Sequence, residues 1–366
     1  MTVTTRPPTS PAVRATSRHL AIRTRAASGR VPLRAVVVAL GALVALAFTL
    51  AWSVSIGDLK IPFGQVIAVL TGGGEETNRF IITELRIPRA AVGIVVGACL
   101  GLSGALFQTF ARNALASPDV LGITDGAAVG ALFVIVLGST GGVLATGVNS
   151  FGVTGAALLG ALVASLLLYV LAWRRGIDGT RLVLVGVGLQ AIFLSGISWL
   201  LSRADIYDLP AALAWLSGSI ADRGWHEATP AIWAFVVLAP VALVLSRTLR
   251  ALQLGDDSAR GLGVRLQVAQ GVVLLVAVGL AAFAVSASGP IDFVAFVVPQ
   301  IALRLVGGSR PPLVTSAILG ALLVLVADTL TRAVLPYELP VGVVTAMIGA
   351  PYLLWLLARA NRKAST

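Results

Sequence analysis

Of 366 residues, 57% are hydrophobic and only 12% are charged, whereas soluble domains carry about a quarter charged residues. The net charge of +11 would suit a nucleic-acid partner on a soluble surface, but Lys and Arg gather in the first 34 residues and in alternate short loops. That is the orientation signal of a membrane protein, and it excludes a nucleic-acid footprint.

The chain opens on a basic segment, residues 1–34, with Arg6, Arg14, Arg18, Arg23, Arg25, Arg30 and Arg34 among Thr, Ser, Pro and Ala. This composition reads as a disordered cytoplasmic tail. The first apolar run, Ala35–Val54, has no A-x-A cleavage site at the usual spacing and exceeds a signal h-region, so it reads as a transmembrane helix. Nine further runs follow: Ala90–Phe110, Gly126–Leu137, Phe151–Trp173, Leu182–Leu201, Pro230–Leu245, Leu266–Ala287, Phe293–Val306, Val314–Thr331 and Val341–Leu357. The third and eighth helices of this set are short. Pro/Gly segments at Ser117–Gly126 and Gly289–Ile291 interrupt them, which implies irregular backbone buried inside protein. The fold class is therefore an all-α polytopic bundle of ten helices: one membrane domain over residues 35–358, a basic tail at 359–366, and no second soluble domain.

With both termini in the cytoplasm, about 20 of the 27 Lys and Arg fall on that side, which fixes the expected orientation. Cys99 lies inside an apolar run, so neither a disulfide framework nor a cysteine metal site is expected. Gly93, Gly97, Gly101 and Gly104 recur at the spacing that lets helix backbones approach closely.

No catalytic constellation emerges. His19 lies in the tail and His226 in an outer loop, so a paired-His metal site is not expected. A phosphate loop needs a Gly-Lys step, and the two lysines, Lys60 and Lys363, follow Leu59 and Arg362. Energy for pumping would have to come from another polypeptide or an ion gradient. Asp125 and Asp328 are the two ionisable groups read as lying within the membrane. Asp125 suits a helix cap, and Asp328 suits a local pair with Arg332 four residues on. Neither suggests a proton relay.

The longest cytoplasmic loop, residues 248–266, reads as two short helices around Thr248–Leu254 and Asp256–Leu262, parted by Gly255 and stopped by Gly263. Such an elbow on the membrane surface can dock into a groove of a soluble partner. A solvated connector is the plainer alternative.

Four blocks carry a family resemblance: LRIPRAAVGIVVGACLGLSGALFQ (Leu85–Gln108), RNALASPDVLGIT (Arg112–Thr124), LGDDSARGLGV (Leu254–Val264), and the region from GPIDFVAFVVPQIALRLVGG to the last helix (Gly289–Leu357). Over about Val36 to Arg359 the chain resembles FecCD-type permeases, the membrane subunits of type II ABC importers for iron–siderophores, haem and cobalamin. The resemblance implies a ten-helix subunit in a permease dimer, homo- or heteromeric. It implies an ABC ATPase dimer that binds the ATP and Mg, so that this chain is non-catalytic and carries no cofactor. It also implies an extracytoplasmic substrate-binding protein and a place in the cytoplasmic membrane of a bacterium. Arg86, Arg89 and Arg332 match docking arginines for the binding protein. Asn113, Leu115, Gly179 and Thr180 match a cytoplasmic gate. The ATPase-coupling segment corresponds to Leu254, Gly255, Asp256, Asp257, Ala259, Arg260, Gly261, Leu262 and Gly263.

The chain departs from the family pattern in Asn113-Ala114-Leu115 (Asn-Pro-Leu in many members), Asp125 (Ser or Asn), Asp292 (Gly) and Gln300 (His). Asp125 and Gln300 are thereby candidates for the pathway. Pro-Gln-Ile-Ala and Ser117-Pro118-Asp119 tilt the expected cargo to a ferric siderophore over cobalamin or haem. The rival of another class is an ion-coupled secondary transporter.

Overall fold

The computed structural model describes residues 19–23, 28–57, 59, 61–138, 143–173, 179–334 and 338–364. Arg174, Arg175 and the tail before His19 therefore lie outside the described residues.

Long apolar stretches satisfy their own backbone hydrogen bonds only as helices, and helices dominate the chain. After a short antiparallel ribbon, β1 (His19–Arg23) with β2 (Ser28–Pro32), α1 runs Leu33–Ser55. β2 leads straight into α1. Two short helices, α2 (Phe63–Leu70) and α3 (Glu76–Phe80), and a π-helical turn (Ile81–Arg86) feed α4 (Ile87–Ala111).

Then follow α5 (Ile123–Leu137), α6 (Val143–Ala172, broken at Gly152), α7 (Gly179–Arg203), α8 (Leu209–Leu216) and α9 (Trp225–Val244). The surface pair α10 (Ser246–Gln253) and α11 (Asp256–Gly261) precedes α12 (Leu266–Ser288), α13 (Val294–Val306), α14 (Leu313–Val334) and α15 (Val341–Ala364). Among the described residues seven helices are long and apolar enough to span a membrane. Three shorter apolar ones, Ile123–Leu137, Val294–Val306 and Val341–Leu356, match the remaining expected crossings.

Sequence boundaries miss by a few residues where capping decides the end. The sixth crossing starts at Trp225 rather than Pro230, because the Glu227 carboxylate accepts the Gly224 N–H at 2.9 Å and organises the first turn.

The core runs along α4, which packs on α14, α12, α13 and α9. Its glycines explain how. A Cβ on Gly97 would strike the Gly320 carbonyl of α14, and one on Gly104 would strike the Ala295 carbonyl of α13. Without side chains there, backbones meet at van der Waals distance, the main attraction available between helices in lipid. Polar pins add register: Ser103 Oγ donates to Ala277 O of α12 at 2.6 Å, and Gln108 Nε2 donates to Phe296 O of α13 at 2.9 Å.

The periphery is the reverse. Val44, Phe48, Leu184, Ile192, Trp233 and Val244 lie on α1, α7 and α9 and are all exposed. Such a continuous apolar coat is unsustainable in water and natural against hydrocarbon. This is a multi-pass membrane protein.

Candidate translocation path and its two ends

At the Arg86 end of α4, charged side chains from distant parts of the chain form a buried network. Asp328 on α14 is fully buried. Its Oδ1 accepts Arg89 Nε at 3.0 Å and Nη2 at 2.8 Å, and its Oδ2 accepts Arg332 Nε at 3.1 Å and Nη2 at 2.7 Å. The expected i,i+4 pair of Asp328 with Arg332 is thus present, and Arg89 joins it across helices.

Arg332 also caps the end of α1, donating to Ser53 Oγ at 2.7 Å and to Ile56 O at 3.1 Å. Arg86 donates to Val54 O at 2.7 Å and to Leu59 O. Val54 O and Ile56 O lie at the end of α1, where carbonyls lack intrahelical partners, and the two arginines supply donors. Arg86 and Arg332 are therefore buried and act as internal struts in this structure. Arg89, at 16% side-chain exposure, reaches the rim, where Glu338 lies 3.3 Å away.

A cavity of about 720 Å³ opens between the helices beside the two breaks. Its walls come from the α4–α5 turn, α5, α7, the break before α13, and α15. Asn113, Leu115, Asp119, Asp125, Gln190, Asp292, Phe293 and Phe296 line it, and no Lys or Arg is among the lining residues described. Both helix breaks expected from the sequence therefore open on this space. Gly122 (φ 76°) starts α5, while Gly289 (φ 74°) ends α12 and Phe293 (φ 67°) starts α13. A left-handed phenylalanine is a strained arrangement. It is held by packing on Gly349 of α15 and by an edge-to-face contact with Phe296 at 6.5 Å.

Asp125 lines the cavity, with Oδ2 shielded from solvent and lacking a hydrogen-bond partner. Gln300 does not line it, a correction to the pathway expectation. Its amide is buried between α13 and α4 and donates to Gln108 Oε1 at 2.6 Å. An amide inside a packed helix interface must find such a partner.

The sequence reading noted Asp292 only as a departure and Asp119 only within a cargo motif, and assigned neither to the pathway; both line this cavity, one in each break region. Thr124 Oγ1 donates to Asp119 Oδ1 at 3.2 Å. Counting break residues as part of the membrane interior would have found both.

At the other end of α4 lie the gate candidates, Asn113 and Leu115 in the turn after the helix and Gly179 against its last residue, Ala111. Asn113 Oδ1 accepts the Leu115 N–H at 2.9 Å, closing a tight turn without the family's proline. Gly179, opening α7, abuts the Ala111 backbone so closely that a Cβ would collide with Ala111 O. Thr180 follows it, exposed.

The coupling candidates form the expected elbow. Gly255 (φ 104°) parts α10 from α11, and Gly263 (φ 80°) follows α11. Leu254 and Leu262 are exposed, while Ala259 is buried against Leu252 and Leu266. Asp256 opens α11 at its first position, Gly261 closes it, and Asp257 pairs with Arg260 at 2.8 Å on the exposed face.

Two arginines fasten this elbow to the bundle. Arg112 Nη2 donates to Leu252 O, and Arg310 Nη1, in the α13–α14 loop, donates to Ser246 O at 3.2 Å. Burial, and then the nearby Arg250 charge, lower the Arg310 pKa from its usual value.

Comparison with known proteins bears on this geometry. The chain is 38% identical over 313 residues to the ferric enterobactin transport system permease protein of Escherichia coli (strain K12), covering 85% of this chain and 92% of the relative. It is 36% identical over 315 residues to the iron(3+)-hydroxamate import system permease protein of Bacillus subtilis (strain 168), covering 84% and 93%. A solved metal-chelate type ABC transporter in an inward-facing conformation superposes with a TM-score of 0.76 at 27% identity, covering 88% of this chain and 99% of that one. Residues 43–359 match the FecCD transport family, and the chain belongs to it.

Proposed function

We propose that this chain is the membrane permease of an ABC importer that moves a ferric siderophore across the cytoplasmic membrane of a bacterium. The observation that carries the reading is the cavity of about 720 Å³ at the two helix breaks. The Asn113–Leu115 turn lies at one side of it, and that turn adjoins a two-helix elbow exposing Leu254 and Leu262. A chelate-sized space, a gate and a docking elbow are the parts an ATP-driven channel needs. Relatives named for ferric enterobactin and iron(3+)-hydroxamate transport support the cargo class.

A separate ATPase dimer seats on α10 and α11 and supplies the energy. The binding protein delivers cargo at the Arg86 end. There a carboxylate of the incoming protein reaches Arg89 by displacing Glu338, the half-exposed member of the network. Long-range charge complementarity of this kind sets encounter rate and register. A second permease subunit, identical or related, covers part of the apolar exterior and completes the path, and lipid covers the rest.

The test is uptake of an iron-55-labelled ferric siderophore into proteoliposomes holding the permease, the ATPase and the binding protein. Uptake that needs ATP and survives collapse of the proton and sodium gradients supports the proposal. Uptake driven by an imposed gradient without ATPase would establish the secondary-transporter reading instead.

A further inference from the structure

From the contacts at the Asn113 end we infer that Arg112 is the positioning residue that ties the α10–α11 elbow to the gate turn. The inference rests on the importer reading above. Arg112 follows the last residue of α4 and precedes Asn113, so it belongs to the gate turn itself. Its backbone is left-handed (φ 51°), a conformation non-glycine residues adopt at a cost. That twist ends α4 and goes with a side chain directed at α10, where the guanidinium donates to Leu252 O in the last turn.

The carbonyl lies in the last turn of α10, where its backbone partner is the Gly255 N–H at 3.3 Å, so it has room for a second donor, and a cation there also meets the negative pole of the α10 dipole. Leu252 is buried beside Ala259, so the anchored carbonyl belongs to the packed part of the elbow rather than to its exposed tip. At the other end of α10, Ser246 O is held by Arg310 from the α13–α14 loop. α10 is thus pinned at both ends, once to α4 and once to the α13–α14 loop, and α4 and α13 both run into the cavity walls.

A push on α11 therefore reaches the gate through Arg112. On the other side of the turn, the Asn113 side chain fixes the Leu115 backbone, and both residues face the cavity. An elbow pinned only through Arg310 would move the α13 side alone and leave the α4–α5 turn behind.

The experiment compares wild type, Arg112→Ala and Arg112→Lys in proteoliposomes with the ATPase and the binding protein, reading ATP hydrolysis and iron-55 siderophore uptake in the same vesicles. With Arg112→Ala, binding-protein-stimulated hydrolysis is retained while uptake per ATP falls about tenfold or more, the factor matching loss of one hydrogen bond from a charged donor. Arg112→Lys, which keeps a donor and the charge, recovers part of that ratio. A merely structural role would lower hydrolysis and uptake in proportion, and that result, or an unchanged ratio, overturns the inference.

Should Arg112→Ala fail to assemble, the uptake ratio of Arg112→Lys and a spin-label distance between Ala114 and Thr180, both exposed, replace it. ATP changes that distance in wild type and changes it less in Arg112→Lys. An equal change in both overturns the inference. Absence of ATP-driven uptake by wild type would sink the importer reading itself, and this inference with it, so the two failures are distinguishable.

Discussion

Replacing Asp328 by Ala tests whether the buried charge network holds the bundle together. The carboxylate is fully buried and accepts four N–H groups, two from Arg89 and two from Arg332. Its removal leaves two guanidiniums without their counter-charge. Arg332, at 7% side-chain exposure, keeps its bonds to Ser53 and Ile56, and Arg89 keeps the half-exposed Glu338. Breaking a buried ion pair costs about 3–5 kcal/mol, and the retained partners put the loss near the lower end. With roughly 2–4 °C per kcal/mol for large domains, Asp328→Ala should lower the melting temperature by about 6–12 °C. Asp328→Asn keeps an acceptor and should fall between. The assay is thermal unfolding of the detergent-purified complex followed by size-exclusion recovery, with the exposed Asp205→Ala as control, expected within about 0.5 kcal/mol of wild type. If Asp328→Ala melts with that control, the network is ornamental and the strut assignment of Arg332 fails.

Three further outcomes follow from the geometry. Gly104→Ala drives a methyl into the Ala295 carbonyl and should cost about 1–3 kcal/mol, whereas Gly41→Ala, whose Cβ would meet nothing, should be neutral within a few tenths; thermal unfolding reads both. Gly255→Pro imposes φ near −65° where the elbow needs 104°, so the ATPase should no longer co-purify with the permease. The paired change Asp125→Asn with Asp292→Asn removes acidic groups from a cavity with no Lys or Arg among its described lining residues. In uptake assays it should raise transport of an N-succinylated (anionic) ferric trihydroxamate relative to its free-ammonium form by about tenfold, as charge juxtapositions of several kcal/mol allow.

What could be read from the sequence was what repeats locally. Apolar runs and their Pro/Gly breaks place ten helices, since one residue after another must be apolar and the backbone must satisfy itself. The glycine stripe of α4 is legible for the same reason, a four-residue spacing meaning one helix face. The elbow is legible because glycines 255 and 263 punctuate it. The i,i+4 pair of Arg332 with Asp328 was legible, but the partners of Arg89 and Arg86 were hidden because nothing local encodes them. Arg89 meets Asp328 and Glu338 more than 200 positions away, and Arg86 meets backbone carbonyls, which have no sequence signature at all. An arginine near a helix end looks the same whether it faces a partner protein or caps a neighbouring helix. The cavity position of Asp119 and Asp292 was not legible for a related reason. Each sits in a polar break that reads as a loop at the membrane surface, and only the folding of both breaks into one cavity makes them interior residues. Gln300 erred in the opposite direction, its departure from the family pattern being compensated by Gln108 across the α4–α13 interface.

The two ends of the molecule are joined by one element. α4 spans 25 residues, about 37 Å at 1.5 Å per residue, with Arg89 near its start and Arg112 just past its end. Its middle is stapled to α14 and α13 by backbone contacts at Gly97 and Gly104 too tight for a methyl group, so it moves with those helices or not at all. Close-packed interfaces switch between discrete arrangements rather than deforming gradually. A carboxylate exchange at Glu338 and a shift of α10 thus act on the same rigid body from opposite sides. Under the importer reading, whatever factor the binding protein imposes on the affinity for nucleotide, nucleotide must impose in equal measure on the affinity for the binding protein, because the coupling free energy is shared by the two sites.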